Sequence, residues 1–98
     1  TPISRFPAVE RDITMIIGTE VGAGSILQYL EGLQHELVER VELLDVFQGE
    51  PIPAGKKSVS LRLVYRSDAA TLDDETVNRM HTSLSQQAVA YFQADLPG

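Results

Sequence analysis

A chain of 98 residues with 14 acidic and 8 basic side chains, formal net charge −6, is long enough for one compact domain and too short for two. A hydrophobic share of 43% against 22% charged excludes a disordered tail, and the acid excess argues against a general nucleic-acid binder, which needs surplus Lys and Arg to displace counterions. Selective recognition of one RNA loop stays open, while the absence of cysteine excludes a disulfide scaffold, a thiolate metal site and a cysteine nucleophile, and suits a cytoplasmic protein.

Arg11 to Ile17 alternates, with Ile13, Met15 and Ile17 on one side and Asp12, Thr14 and Ile16 on the other, which predicts a strand with one buried face. The glycine-rich run Gly18 to Gly24 ends it. Ile26, Leu27, Leu30 and Leu33 then fall on one helix face, capped near Gly24 or Ser25 and finishing around His35. Leu37 to Phe47, rich in Val and Leu, reads as a second strand, and the two glycines and two prolines of Gly49 to Gly55 as a loop. Val59, Leu61, Leu63 and Tyr65 alternate with Ser58, Ser60, Arg62, Val64 and Arg66, a third strand that pairs with the second as an antiparallel hairpin. Asp73 suits a helix cap, and Asp74 and Glu75 place negative charge in the first turn. Val77, Met80, Leu84, Ala88 and Tyr91 continue that helix for about 18 residues, and Gln93 to Leu96 supplies a short final strand.

This βαββαβ order predicts an α+β, ferredoxin-like fold: one antiparallel four-stranded sheet with both helices on one face, a single domain over residues 1–98 with its core at about 6–96. The other sheet face is left open. On the third strand Ser58, Ser60, Arg62 and Arg66 look toward it. On the second, Leu44 and Val46 are expected in the core and Leu43, Asp45 and Phe47 on the open face.

No catalytic constellation emerges. Gly49 to Ser58 fails as a phosphate loop, since five residues separate the glycines, Lys57 replaces the needed hydroxyl residue and a strand comes next. Gly22-Ala-Gly24 lacks the third glycine of a dinucleotide fingerprint, Leu27 standing there instead. His35 and His81 have no partner at ligand or triad spacing and read as structural, and Asp73-Asp74 reads as a helix start. No apolar run is long enough to span a membrane, and no basic amino-terminal region leads into one. Thr1 in place of an initiator methionine suggests a piece of a longer chain.

From Pro51 to Ser67 the basic residues are Lys56, Lys57, Arg62 and Arg66, with no acid among them. The expected result is a locally positive sheet face on a negative molecule, with cross-strand ion pairs on a solvated surface as the alternative. Phe47 on an open sheet face offers a platform for a single-stranded base, and Asp45 beside it can accept from the adjacent N–H donors of a guanine edge. Packing of Phe47 against a neighbouring domain explains the exposed ring equally well.

Four segments carry a resemblance: Phe6 to Asp12 (FPAVERD), Val41 to Glu50 (VELLDVFQGE), Ile52 to Val59 (IPAGKKSV) and Leu72 to Asn78 (LDDETVN). In this order they resemble the carboxy-terminal ferredoxin-fold anticodon-binding domain of the bacterial phenylalanyl-tRNA synthetase beta subunit. The resemblance implies a domain that grips the anticodon loop of phenylalanine tRNA with its open sheet face. Carried over by motif, Asp45 and Ser58 meet the first anticodon base, a guanine, Phe47 supports stacking, and Thr14 occupies the neighbouring first-strand position. Lys57, Arg62 and Arg66 complete the expected RNA-binding set as its positive charge. Phe47 and Gln48 stand where the family commonly has tyrosine and arginine, so a phenolic hydroxyl and a nearby cation are missing. ATP- and magnesium-dependent attachment of phenylalanine is implied for the parent, in the alpha subunit of an α2β2 assembly, with no cofactor in this fragment. The competing readings are a regulatory domain that binds an amino acid at the Gly18–Gly24 turn, and a pure docking domain.

Overall fold

Alternating side chains build the centre of the sheet. In the computed structural model, which describes residues 6–33, 36–67 and 69–96, β1 (Val9–Gly18) and β3 (Lys56–Tyr65) pair antiparallel in an unbroken register from Val9 opposite Tyr65 to Gly18 opposite Lys56. Cross-strand partners share a face, so Ile13, Met15 and Ile17 line up with Leu61, Val59 and Lys57. β2 (Val38–Phe47) pairs antiparallel with the other edge of β3, giving the order β1-β3-β2. The hairpin loop opens and closes on Gly49 and Gly55, both at positive φ (110° and 79°), backbone that a side chain would strain.

Both helices cover one face, as a ferredoxin-like fold requires. α1 (Ala23–Gly32) inserts Ile26 and Leu30, and α2 (Asp74–Phe92) inserts Val77, Leu84 and Ala88, against the buried set of β1 and β3. The helix starts differ in kind. Asp73 caps α2 by accepting the Thr76 N–H at 2.7 Å, and that hydrogen bond holds its carboxyl below the usual range. α1 begins at Gly22 with no side-chain cap and no acid in its first turn, so packing rather than capping holds it. It ends at Gly32, and His35 lies outside the described residues.

Two expectations are corrected. Among the described residues the sheet has three strands, not four: α2 runs to Phe92, Gln93 turns left-handed at φ 53°, and the segment beyond it makes a single bridge, Asp95 exchanging both backbone hydrogen bonds with Ile16 (2.7 and 2.8 Å). Two residues further along the sequence stands Pro97, which has no N–H to donate to a longer ladder. The second correction concerns β2. Its register against β3 slips once between Val38 and Arg40 and again between Leu43 and Asp45, so strict alternation fails twice. Leu43 stands opposite Leu61 on the helix side rather than on the open face, and Leu44 is the extra residue of the second bulge. Neither Leu44 nor Val46 is core, at 43% and 42% exposed, because α1 packs over only the first part of β2, at Val38 and Val41.

His81 is structural. Its Nε2 donates to the Asp12 carbonyl at 2.9 Å, since a carbonyl can only accept, which leaves Nδ1 to accept from the Tyr65 hydroxyl at 2.9 Å. The free edge of β1 is thereby tied to α2 at one point and to Asp95 at another. Tyr65 is fully buried, and burial pushes its phenol up to about 12.

Candidate nucleic-acid interface

The open face is a ladder of rows read across β1, β3 and β2. Nearest the hairpin, Ile16, Ser58 and Phe47 form one row; Thr14, Ser60 and Asp45 form the next. Then come Asp12, Arg62 and Glu42, and finally Glu10, Val64 and Arg40. The second bulge creates this arrangement: by absorbing Leu44 it returns Asp45 and Phe47 to the open face beside Ser60 and Ser58.

The first two rows are neutral apart from Asp45. Phe47 is 46% exposed, and the tip of its ring reaches back to Gly49, where a Cβ would stand 3.9 Å from the ring carbon Cζ. Between Phe47 and Ile16 in this row stands the small side chain of Ser58, which sets a hydroxyl beside the aromatic ring. Thr14 and Ser60 hydrogen-bond to each other at 2.9 Å through their hydroxyls. Asp45 makes no hydrogen bond or ion pair among the described residues, so its acceptor oxygens face solvent unused.

The other two rows are saturated. Arg62 grips Asp12 through Nε at 2.8 Å and a second nitrogen at 3.3 Å and reaches Glu10 at 3.9 Å. Arg40 binds Glu42 at 2.9 Å, and Glu39, at the first bulge, receives Arg66 at 3.1 Å and Arg40 at 3.7 Å. The hydrogen bond from Arg62, more than its charge, holds the Asp12 carboxyl below its ordinary range. This belt carries four carboxylates, Glu10, Asp12, Glu39 and Glu42, against three arginines.

Thr14, Asp45, Phe47 and Ser58 are thus brought together on adjacent rows, and the expected cations are not. Arg62 and Arg66 are engaged by acids from β1 and β2, so the expected positive face is a balanced, slightly negative one. Lys57 lies opposite Ile17 on the helix side and is 8% exposed. The cation left unpaired on the open face among the described residues is Lys56, one row beyond Ser58 and opposite Gly18. The β3 alternation that puts Val59 and Leu61 inside already implies this, because it also puts position 57 inside and 56 outside. The Gly18–Gly24 turn borders a groove on the far side, lined by Glu20, Gly22, Ser25, Tyr29, Tyr91 and Phe92, with Tyr29 and Tyr91 stacked at 4.3 Å. Among the described residues no group of His, Cys, Asp and Glu could hold a metal ion, and no helix is long and apolar enough to cross a membrane.

A family model described as the ferredoxin-fold anticodon binding domain matches residues 4–97. Among similar proteins, the phenylalanine-tRNA ligase beta subunit of Oceanobacillus iheyensis is 43% identical over 84 residues, 86% of this chain and 10% of its own length. That of Syntrophus aciditrophicus is 40% identical over 88% of this chain and 11% of its own. That of Geobacillus kaustophilus is 39% identical over 99% of this chain and 12% of its own. The chain therefore spans about a tenth of the length of the curated relatives it matches.

Proposed function

The chain belongs to the ferredoxin-fold anticodon-binding domain family, and from that premise we propose that it is one domain of a phenylalanine-tRNA ligase beta subunit and reads the anticodon loop of phenylalanine tRNA with the hairpin end of its open sheet face. The observation that carries this reading is Asp45: the belt carboxylates are paired with arginine, whereas Asp45 is unpaired among the described residues and stands beside an exposed aromatic ring. A guanine stacked on Phe47 directs its N–H edge at an acceptor of this kind, with Ser58 as a hydroxyl within the same row and Thr14 in the next. Lys56 receives a flanking phosphate as a point charge. In this role the domain binds and positions RNA. Attachment of phenylalanine, with its ATP and magnesium, belongs to other parts of the parent enzyme, where the alpha subunit and the remainder of the beta subunit are the protein partners and the cytoplasm is the compartment.

A docking role for the helix side of β2 is compatible with this reading, and Leu43, Leu44 and Val46, each exposed by more than two-fifths, favour it.

The test is titration with an anticodon stem-loop carrying guanine at the first anticodon position, monitored by amide shifts in NMR. Residues of the Phe47 and Asp45 rows should move, and Phe47→Ala should weaken binding by roughly 1–3 kcal/mol, the worth of one base on an aromatic platform. Shifts confined to α1 and α2, with the sheet rows unmoved, would sink the reading.

A further inference from the structure

We infer that the ion-paired belt at the far end of the open face is an electrostatic fence that keeps the RNA backbone off half of the sheet, and that Glu10 and Glu42 are specificity-determining residues for this reason. The inference rests on the reading of the open face as an RNA site and adds where the RNA stops.

Four carboxylates oppose three arginines in the belt, and the arginines are already engaged at 2.8–3.1 Å, so none is free to take up a phosphate. Glu10 and Glu42 flank Arg62 on the open face, Glu10 with half of its side chain exposed and only a 3.9 Å approach to that arginine. Its charge is therefore only partly offset inside the belt and is felt at the surface. A strand advances about 3.3 Å per residue, so the belt begins roughly 7 Å from the Asp45 row and about 13 Å from Ser58. That distance holds a stacked base and its immediate neighbour, and it is comparable with the ~8 Å Debye length at physiological ionic strength. A backbone entering from Lys56 finds an unpaired cation first, then two rows whose single charge, Asp45, is taken up by the guanine edge, and a net negative charge beyond them. Phosphates are turned away there, so only a loop presenting one or two splayed bases fits. A sheet whose whole open face were basic would accept any single strand.

The experiment compares the chain with its Glu10→Gln/Glu42→Gln variant, which keeps the bidentate Asp12–Arg62 pair and changes the belt from net −1 to net +1 by removing two carboxylates. Two RNAs are titrated at several salt concentrations: the guanine-bearing stem-loop and an oligouridylate of similar length. The variant should bind oligouridylate roughly three-fold more tightly near 0.15 M salt and more so at lower salt, the size expected for two charges at about 7 Å in water. Its preference for the stem-loop should fall by the same factor. Glu10→Gln alone, which disturbs only the longest contact, should give part of the gain. An unchanged oligouridylate affinity at low salt, or an equal gain for both RNAs, overturns the fence. Phe47→Ala, measured alongside, separates the two ideas: loss of stem-loop binding in that variant with no gain in the double variant leaves the site reading standing without the fence. A gain in the double variant with no loss on Phe47→Ala leaves the fence standing and removes the base-stacking site.

Discussion

β1 and β2 flank the same central strand and are each ten residues long, yet they meet β3 in different ways. β1 keeps one register over its whole length, and its inward residues Ile13, Met15 and Ile17 are buried. β2 slips at Glu39 and at Leu44 and leaves every residue from Leu43 to Phe47 exposed. The core is thus built by β1 and β3, while β2 serves to display side chains. A strand that carries little of the core tolerates the two bulges that aim Asp45 and Phe47 at the open face.

Removing one residue from each strand is the strongest way to break this comparison. Deleting Thr14 forces either Ile13 or Met15 and Ile17 through to the wrong face, since side chains change face with each residue. No cooperative unfolding transition should survive. Deleting Leu44 only removes the bulge residue, after which Leu43 and Asp45 become neighbours opposite Leu61 and Ser60. Cooperative thermal unfolding by circular dichroism should persist in that variant, and equal damage from the two deletions would contradict the division of labour.

Point substitutions give a smaller version of the contrast. Met15 is fully buried on the helix side of β1, and Met15→Ala should cost about 2–5 kcal/mol in urea unfolding through lost transfer energy and the cavity left behind. Val46 faces the same way from β2 but is 42% exposed, and Val46→Ala should cost less than about 1 kcal/mol. Comparable costs would mean that β2 carries more of the core than its exposure indicates.

The same difference decides what is legible in the sequence. In β1 and β3 the register is unbroken, so alternation assigns Ile13, Met15, Val59 and Leu61 to the core correctly. In β2 the bulges fall at Glu39 and Leu44, ordinary strand residues that carry no glycine or proline signal, so alternation places Leu43 on the wrong face. Asp45 and Phe47 are assigned correctly because both lie beyond the second bulge, with no slip between them. The charge of a segment is equally hard to convert into the charge of a face. Pro51 to Ser67 holds no acid, yet the partners of Arg62 and Arg66 arrive from β1 and β2, 50 and 27 residues away in the chain. Lys56, by contrast, is legible as an open-face cation from the alternation of β3 alone. The missing fourth strand is only half legible, through Pro97, because the left-handed turn at Gln93 has no glycine to announce it.

The edges of the two strands differ as well, and pH can expose that difference. The β1 edge is held to α2 through His81, whose other nitrogen accepts from Tyr65. Tyr65 stays protonated in the fold up to about 12 because burial disfavours the phenolate, whereas in the unfolded chain a phenol ionises near 10. The unfolded chain therefore sheds this proton first as pH rises. The contribution of this phenol is fully present below about pH 10 and is then lost at about 1.4 kcal/mol per pH unit until the folded phenol also ionises, some 2–3 kcal/mol in all. Tyr65→Phe should cost about 1 kcal/mol at neutral pH, because His81 loses the hydroxyl it accepts from, and should show none of this alkaline decline. Urea unfolding of both proteins at pH 9, 10 and 11 measures it: the advantage of the tyrosine form should shrink and reverse across the series. Parallel curves would show that the buried phenol is not what the fold gives up in alkali, and that the tie between β1 and α2 contributes less than its geometry suggests.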